Sequence, residues 1–224
     1  MNTDEKWDYL SSLEKHENII DYNLLKSISN DINSEIRSYC AEVLALYPSK
    51  NSESILLGLL NDPDDLVRAN ACDSLYFSDN VRILEALKMK LDDRNFLVRG
   101  YATLSIAEVC LAISNPEIQG KTVSLLEDKL AQENDTWVKI SILRSLILLG
   151  QKKYWPFFLE TIHSDNYQYR NFALNLLQEM NIDENSNRIF QCLSSQLKTE
   201  KVENIKVKIQ TLLNQIHSKN NMKG

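Results

Sequence analysis

The chain has 224 residues, of which 43% are hydrophobic and 25% are charged, and its formal net charge is −6. This length supports a well-buried core, while five glycines and four prolines argue against a β-rich or linker-rich protein. The longest apolar run, residues 142–149, is broken by Arg144 and Ser145, so no membrane span is predicted. The acidic, polar start of the sequence is not expected to be a signal peptide, and a cytoplasmic location is predicted.

One short pattern recurs along the chain: an acidic residue, then an aliphatic anchor five positions later, then a base. In the second copy these residues are Asp62, Val67 and Arg68. The six anchors are Ile36, Val67, Val98, Val138, Tyr169 and Ile205. Their spacings are 31, 31, 40, 31 and 36 residues. Repetition at such a period is typical of a stacked repeat array, which usually acts through an extended surface.

Each copy predicts two helices joined by a tight acidic turn. In the second copy Val67, Ala71 and Leu75 share one stripe of a helix. The apolar run at residues 55–60 predicts the helix before it. Between the two helices, Pro63 ends the first, and the aspartates around it cap the second and suit its positive end.

Taken in chain order, the elements begin with a capping helix at residues 3–17, which is expected to cover the open end of the array. The helix pairs are predicted at about residues 19–47, 51–78, 80–114, 116–150, 152–181 and 185–217. Residues 218–224 are predicted to form a frayed tail. The whole chain, residues 1–224, is predicted to be a single repeat domain.

These repeats resemble the HEAT repeat family, in a short form similar to bacterial arrays. The resemblance implies an all-α fold, namely a right-handed α-solenoid of about six HEAT-like helix pairs with an N-terminal capping helix. It also implies a ladder of hydrogen bonds between neighbouring turns, made by the turn acid and the base after the anchor. In the first three copies the ladder positions are Asp31, Arg37, Asp62, Arg68, Asp93 and Arg99. The fifth copy departs from the pattern, because Ser164 occupies the acidic position.

The sequence contains no Gly-rich phosphate loop, no Gly-x-Ser-x-Gly and no His-Glu-x-x-His motif. Its cysteines are Cys40, Cys72, Cys110 and Cys192. They form no Cys-x-x-Cys pair and are interpreted as buried structural thiols. The three histidines are too dispersed for a metal site. The chain is therefore predicted to be no enzyme and to hold no cofactor or metal.

A surface for a partner protein is predicted on the concave face, which the second helices line in HEAT-like stacks. At 100° per residue, positions six, nine and ten past each anchor point away from the buried stripe, and position three is half exposed. The candidate partner-binding residues are Tyr39, Glu42, Asp73, Tyr76, Tyr101, Glu108, Arg144 and Asn175. Acids pair with Lys or Arg, and tyrosines bury area at low entropy cost. A solvated helix face with incidental tyrosines is the alternative.

A second candidate surface is the aromatic cluster around Trp155, at residues 154–159. Its alternative is packing between neighbouring repeats, because aromatic side chains usually dominate cores.

Three functions stay open at this stage. The first is a non-enzymatic scaffold whose concave face holds a basic protein, for instance as a bacterial immunity protein or antitoxin that inhibits a basic toxin. The second is a DNA-binding array resembling the alkylpurine DNA glycosylases, which an acidic to neutral groove disfavours. The third is a lyase or lyase subunit resembling the phycobilin-lyase-type HEAT proteins, for which no residue has an assigned role. A monomer that binds no membrane is favoured.

Overall fold

The computed structural model describes residues 1–180 and 185–222, with side chains described as far as residue 218. Within those residues the regular structure is helical and there is no strand. This confirms the predicted all-α class and is consistent with a solenoid of helix pairs. The chain divides into two compact units, Met1–Ser145 and Leu146–Gly224, which we call unit 1 and unit 2.

Unit 1 is built from two layers of stacked helices. Its last helix continues into residues 146–148. The helices are α1 Thr3–Glu14, α2 Tyr22–Ile28, α3 Ser34–Ala45, α4 Lys50–Leu59, α5 Asp65–Asp73, α6 Val81–Lys88, α7 Phe96–Ile113, α8 Pro116–Gln132 and α9 Thr136–Leu148. One layer stacks α2, α4 and α6, and the other stacks α1, α3, α5 and α7. The first helices of successive pairs therefore pack on first helices, and the second helices pack on second helices.

Unit 2 contains four described α-helices: α10 Trp155–Glu160, α11 Tyr167–Glu179, α12 Ser186–Thr199 and α13 Glu203–Met222. A 3-10 turn, Thr161–His163, follows α10 and packs against both α11 and α12. The last helix continues past residue 218, where the frayed tail was predicted to start, and residues 223–224 lie outside the described residues. Residue 181, the predicted end of the fifth repeat, also lies outside them.

The polar turns of unit 1 start the second helices by capping them. The side chains of Asn33, Asp64 and Asn95 accept hydrogen bonds from backbone N–H groups of α3, α5 and α7, at 2.8–2.9 Å. Such caps satisfy N–H groups that have no partner inside the helix. Each cap lies two residues after a ladder acid. The cap and the ladder acid are therefore separate positions with separate partners.

The anchor stripe forms the core of the helix pairs of unit 1, as the second copy illustrates. Val67, Ala71 and Leu75 are all 0% exposed. The small residue at the middle of the stripe lets a neighbouring helix approach closely, and the flanking aliphatic side chains bury their apolar surface, which stabilises the pair.

Gly100 on α7 is a point of close approach. A Cβ at this position would lie 2.9 Å from Trp137 Cδ1 and 3.0 Å from Trp137 Nε1. We expect Gly100→Ala to lower the free energy of unfolding by about 1–3 kcal/mol, because the planar indole has little freedom to move aside. Urea unfolding followed by circular dichroism measures the effect. The matched control is Gly120→Ala on α8, where a Cβ meets nothing within 4 Å and stability should rise by about 0.5–1 kcal/mol. Equal changes in both variants would contradict the expectation.

Helix α7, rather than residues 142–149, is the segment that most resembles a membrane span among the described residues. It is 18 residues long with a mean hydropathy of 1.6, so by length and composition alone it could cross a membrane. Two charged residues, Arg99 and Glu108, interrupt its apolar sequence, so it contains no long uninterrupted apolar run. Half of the helix is buried in the structure, where it packs on α5 and α6. Its apolar character is that of a core helix.

Candidate functional site

A ladder of ion pairs joins the successive turns of unit 1. Its members are Lys6–Asp31, Arg37–Asp62, Arg68–Asp93 and Arg99–Glu133. Arg68 donates from Nε and Nη2 to the two oxygens of Asp93, at 2.8 and 2.9 Å, and from Nη1 to the backbone carbonyl of Asp62 at 2.9 Å. Each base thus reaches the acid of the following copy, so the ladder holds neighbouring repeats together. These side chains are used within the fold rather than offered to a partner.

The first pair of the ladder was missed in the sequence. Lys6 belongs to the capping helix α1 and donates a hydrogen bond to Asp31, which lowers the pKa of that carboxyl. Helix α1 therefore takes the place of a preceding repeat. The sequence signal for this pair is its spacing: Lys6 and Asp31 are 25 residues apart, as are Arg37 and Asp62.

Unit 2 contains one further ladder pair, between Arg170 and Glu200. Arg170 donates from Nε and Nη2 to both carboxylate oxygens at 2.7 Å, and from Nη1 to the backbone carbonyl of Ser164 at 2.8 Å. The Glu200 side chain is 0% exposed. Hydrogen bonding from Arg170 lowers the pKa of Glu200 to about 2 against the opposing effect of burial. Ser164 lacks the carboxylate of the other copies but still supplies the carbonyl that orients the arginine.

Three candidate partner-binding residues converge on the second helices of unit 1. Glu42 on α3 and Asp73 at the end of α5 are exposed, and Tyr101 on α7 is half-buried. Burial raises the pKa of Tyr101, and the negative charges of Asp73 and Glu42 raise it further. Helix α5 packs on both α3 and α7, so the three residues lie on successively stacked helices. We call Glu42, Asp73 and Tyr101 the acidic patch.

Glu14, held by a hydrogen bond from Tyr39, extends the negative potential of the acidic patch towards α1. The hydroxyl of Tyr39 donates to the carboxylate of Glu14, and its ring stacks on Trp7 with centroids 5.2 Å apart. Burial and the bond to Glu14 raise the pKa of Tyr39 to about 12. Although Glu42 is exposed, partial removal of its carboxylate from water raises its pKa. The hydrogen bond from Asn70 lowers this pKa, and the charge of Glu14 raises it. A cation at this point would offset the repulsion between Glu14 and Glu42.

Glu14 lies on the capping helix, for which the sequence predicts only an apolar stripe of Trp7, Leu10 and Leu13. The sequence signal for it is weak, since one acid among several on a polar helix does not reveal which second helix it faces.

The other candidates of unit 1 meet the helical-wheel expectation only in part. Tyr76 is 50% exposed, as expected, but it follows the end of α5 in a turn, where its ring contacts Phe77 edge-on. Glu108 accepts a hydrogen bond from Arg144 at 2.5 Å. Arg144 was expected on an exposed face and is instead buried, with 6% exposure. A partner could contact Arg144 only after the arginine side chain had moved out of its buried position.

Asn175 lies in unit 2, where it accepts a hydrogen bond from Lys208 of α13. Lys208 also donates to Asn171 at 2.6 Å. Asn175 therefore takes part in a contact between α11 and α13.

The aromatic cluster of unit 2 is mostly core. Trp155 and Phe158 are 3% and 0% exposed, and their rings meet edge-on with centroids 6.1 Å apart. Phe157 alone of these three points outward, with 57% exposure. The outward part of the cluster is thus Phe157 together with the half-buried Tyr154, whose ring lies 6.3 Å from that of Phe157.

The cysteines follow the sequence interpretation with one correction. Cys40, Cys72 and Cys110 are buried, whereas Cys192 is only half-buried. Across residues 1–180 and 185–218, no three side chains of His, Cys, Asp or Glu are grouped so that they could hold a metal ion.

Comparison with known proteins agrees with this architecture. Residues 23–107 match the family model of HEAT repeats, so the family match covers helices α2 to α6 and the first part of α7. A search of curated proteins found no match.

Among solved structures, the chain resembles the YibA protein of Escherichia coli with a TM-score of 0.57 and 19% identity, covering 95% of this chain and 76% of that one. It also resembles the complex of CpcE and CpcF of phycocyanin lyase from Nostoc (TM-score 0.49, 14% identity, 89% and 96% covered). A third is the archaeal HEAT-like repeats protein from Thermococcus onnurineus (TM-score 0.31, 14% identity, 90% and 98% covered). At these identities the likeness concerns the fold alone.

Proposed function

We propose that this chain is a non-enzymatic scaffold that binds a basic partner protein through the acidic patch of unit 1. The observation that carries the proposal is that Glu42, Asp73 and Tyr101 lie on the successively stacked helices α3, α5 and α7, with Glu14 hydrogen-bonded to Tyr39 on the α1–α3 side. These residues come from helices α1, α3, α5 and α7, so the patch exists only because the helices stack.

The chemistry of the patch suits a lysine or arginine side chain of the partner. Carboxylates attract the cation over a distance and pair with it on contact, which favours fast association and partner selectivity. The phenol rings supply apolar area and the ring face that a cation prefers. The net charge of −6 adds to this attraction and opposes a phosphate backbone, whose binding needs neutralising Lys and Arg.

The finer proposal is a bacterial cytoplasmic immunity protein or antitoxin, acting as a monomer, that inhibits a basic toxin. Its support is the acidic net charge together with a sequence that contains no catalytic motif. The likeness to the phycocyanin lyase complex does not favour a lyase, because no residue of this chain has an assigned role in that chemistry.

Site-specific photo-crosslinking tests the proposal. A photoreactive phenylalanine analogue replaces Tyr101 in the acidic patch or, as the control, Glu85 on α6, which belongs to the other helix layer and is 62% exposed. We expect a crosslink to a basic protein from position 101 and none from position 85, with the partner identified by mass spectrometry. Crosslinking from position 85 alone, or a partner that is acidic, would refute binding through the acidic patch.

A further inference from the structure

A chain of hydrogen bonds in unit 2 ends at the half-buried thiol of Cys192. Beyond the Arg170–Glu200 pair, Gln196 Nε2 donates to Glu200 Oε2 at 3.0 Å. Gln196 Oε1 lies 2.8 Å from His163 Nδ1, and His163 Nε2 lies 3.4 Å from Cys192 Sγ. The four side chains that follow the arginine are thus linked one to the next.

The arrangement rests on two elements that are packed together. Cys192, Gln196 and Glu200 are spaced four residues apart on α12 and at its end, so they share one face. His163 ends the 3-10 turn that packs against that helix. The imidazole is exposed, whereas Gln196 is buried. The buried members therefore hold the exposed imidazole in place.

The direction of every hydrogen bond in this chain follows from the ion pair. Glu200 is a carboxylate held by Arg170 and can only accept, so the amide NH2 of Gln196 must face it. The amide oxygen of Gln196 then faces His163 and can only accept, which places the proton of the neutral imidazole on Nδ1. Nε2 consequently carries the lone pair, and this lone pair faces the sulfur of Cys192.

We propose that Cys192 is a nucleophilic thiol served by His163 as a base, and that it is a site of covalent modification by small disulfides. In the reaction His163 Nε2 takes the thiol proton while the sulfur attacks one sulfur of the disulfide. The S–S bond of the reagent breaks, a mixed disulfide forms on Cys192, and the leaving thiolate takes the proton back from the imidazolium. One disulfide is consumed and one thiol is released, so atoms and electrons balance.

The resting state of this site is a protonated thiol rather than an ion pair. Burial raises the pKa of Cys192 to about 11, so the imidazole acts during the reaction and not before it. The backbone carbonyl of Leu159, 3.5 Å from the sulfur, is the other acceptor for the S–H group. The remaining cysteines are internal controls, because Cys40, Cys72 and Cys110 are buried and burial raises the pKa of Cys40 to about 12.

The test uses the full-length protein and an aromatic disulfide reagent whose released thiol absorbs visible light. We expect one thiol to react first and mass spectrometry to locate it at Cys192, with Cys192→Ser abolishing that phase. His163→Ala should slow the phase by roughly 100-fold, the lower end of general-base assistance. The matched control is His16→Ala in unit 1, where the imidazole contacts Tyr47 and no cysteine; its rate should equal that of the unmodified chain.

If His163 has only a structural role, His163→Ala should not slow the reaction of Cys192. Removing a side chain that merely covers the thiol would leave the rate unchanged or raise it, and either outcome overturns the proposal. His163→Asn keeps a polar group of similar size but has no base, so it must also react slowly, and it stands in if the alanine variant does not fold. Failure of this test leaves the acidic patch untouched, because the two sites share no residue.

Discussion

Replacing Arg170 with alanine is expected to lower the free energy of unfolding by about 3–5 kcal/mol, the cost of leaving a buried charge without its partner. Arg170 and Glu200 share two hydrogen bonds of 2.7 Å, and the glutamate side chain is 0% exposed. The variant would leave that buried carboxylate without its cation, bonded only to the amide of Gln196 and to two backbone N–H groups. It would also free the carbonyls of Ser164 and Asp165, which both accept from Arg170.

The matched control is Lys206→Ala, at the equivalent position one copy later. Lys206 pairs with Glu203 within its own helix at 3.1 Å, and both side chains are partly or largely exposed. A surface pair of this kind contributes about 0–1 kcal/mol. Urea unfolding monitored by circular dichroism compares the two variants under the same conditions. Similar losses in both would mean that the buried ladder pair is no more stabilising than a surface contact.

The pH dependence of the Arg170→Ala effect gives a second check on its cause. The pKa of Glu200 is lowered from 4.5 to about 2 in the folded chain. A depressed carboxyl pKa contributes stability that is fully present above the unfolded value and is lost as the pH falls through the folded value. In the alanine variant this contribution is gone, so the difference in stability between the two proteins should narrow between about pH 4.5 and pH 2. A difference independent of pH would point to lost packing instead.

Reversing two charges of the acidic patch is expected to weaken binding of the basic partner by about 100-fold or more. In Glu42→Lys/Asp73→Lys the groups that attract a cation become groups that repel it, beside a Tyr101 phenol whose pKa both carboxylates raise. A hundredfold change corresponds to about 2.7 kcal/mol, which lies within the range for charge pairs that are partly removed from water. Isothermal titration calorimetry with the crosslinked partner, once purified, measures the affinity.

The control for this variant carries the same change in net charge at another place. Glu85→Lys/Glu117→Lys also shifts the formal charge from −6 to −2, since each reversal adds two positive charges, and its sites on α6 and α8 are 62% and 76% exposed. We expect a loss of less than about fivefold, arising from weaker long-range attraction that salt screens. If both double variants lose affinity equally, the partner responds to overall charge and the acidic patch is not its site.

Much of the fold could be predicted from the sequence, because its determinants are local. The stripe of Val67, Ala71 and Leu75 shows the period of one helix, and it is buried as that period requires. The polar turn before it contains a helix cap, as the residue types indicate. These features recur within a window of about 30 residues, so a reader of the chain can find them without knowing how the helices pack.

The candidate site was only partly predictable. Position along the chain and a helical wheel suggested Glu42, Asp73 and Tyr101 as surface residues; the first two are exposed and Tyr101 is half-buried, on three successively stacked helices. The same reasoning misplaced Arg144, whose burial depends on neighbouring helices. Tyr76 is exposed as expected, although it lies beyond the end of its helix. A helical wheel gives the direction in which a side chain leaves its own helix, but it does not show which neighbouring helices pack against that side chain.

The sequence by itself determined the repeat, the buried stripe and the capped turn, because each arises from contacts between residues a few positions apart. Only the tertiary structure decided which distant residues meet. Lys6 pairs with Asp31, Glu14 accepts from Tyr39, and His163 faces Cys192, across separations of 25, 25 and 29 residues. Such pairs depend on the exact stacking of one helix on the next, and stacking is set by side-chain shape over the whole interface rather than by any short pattern in the chain.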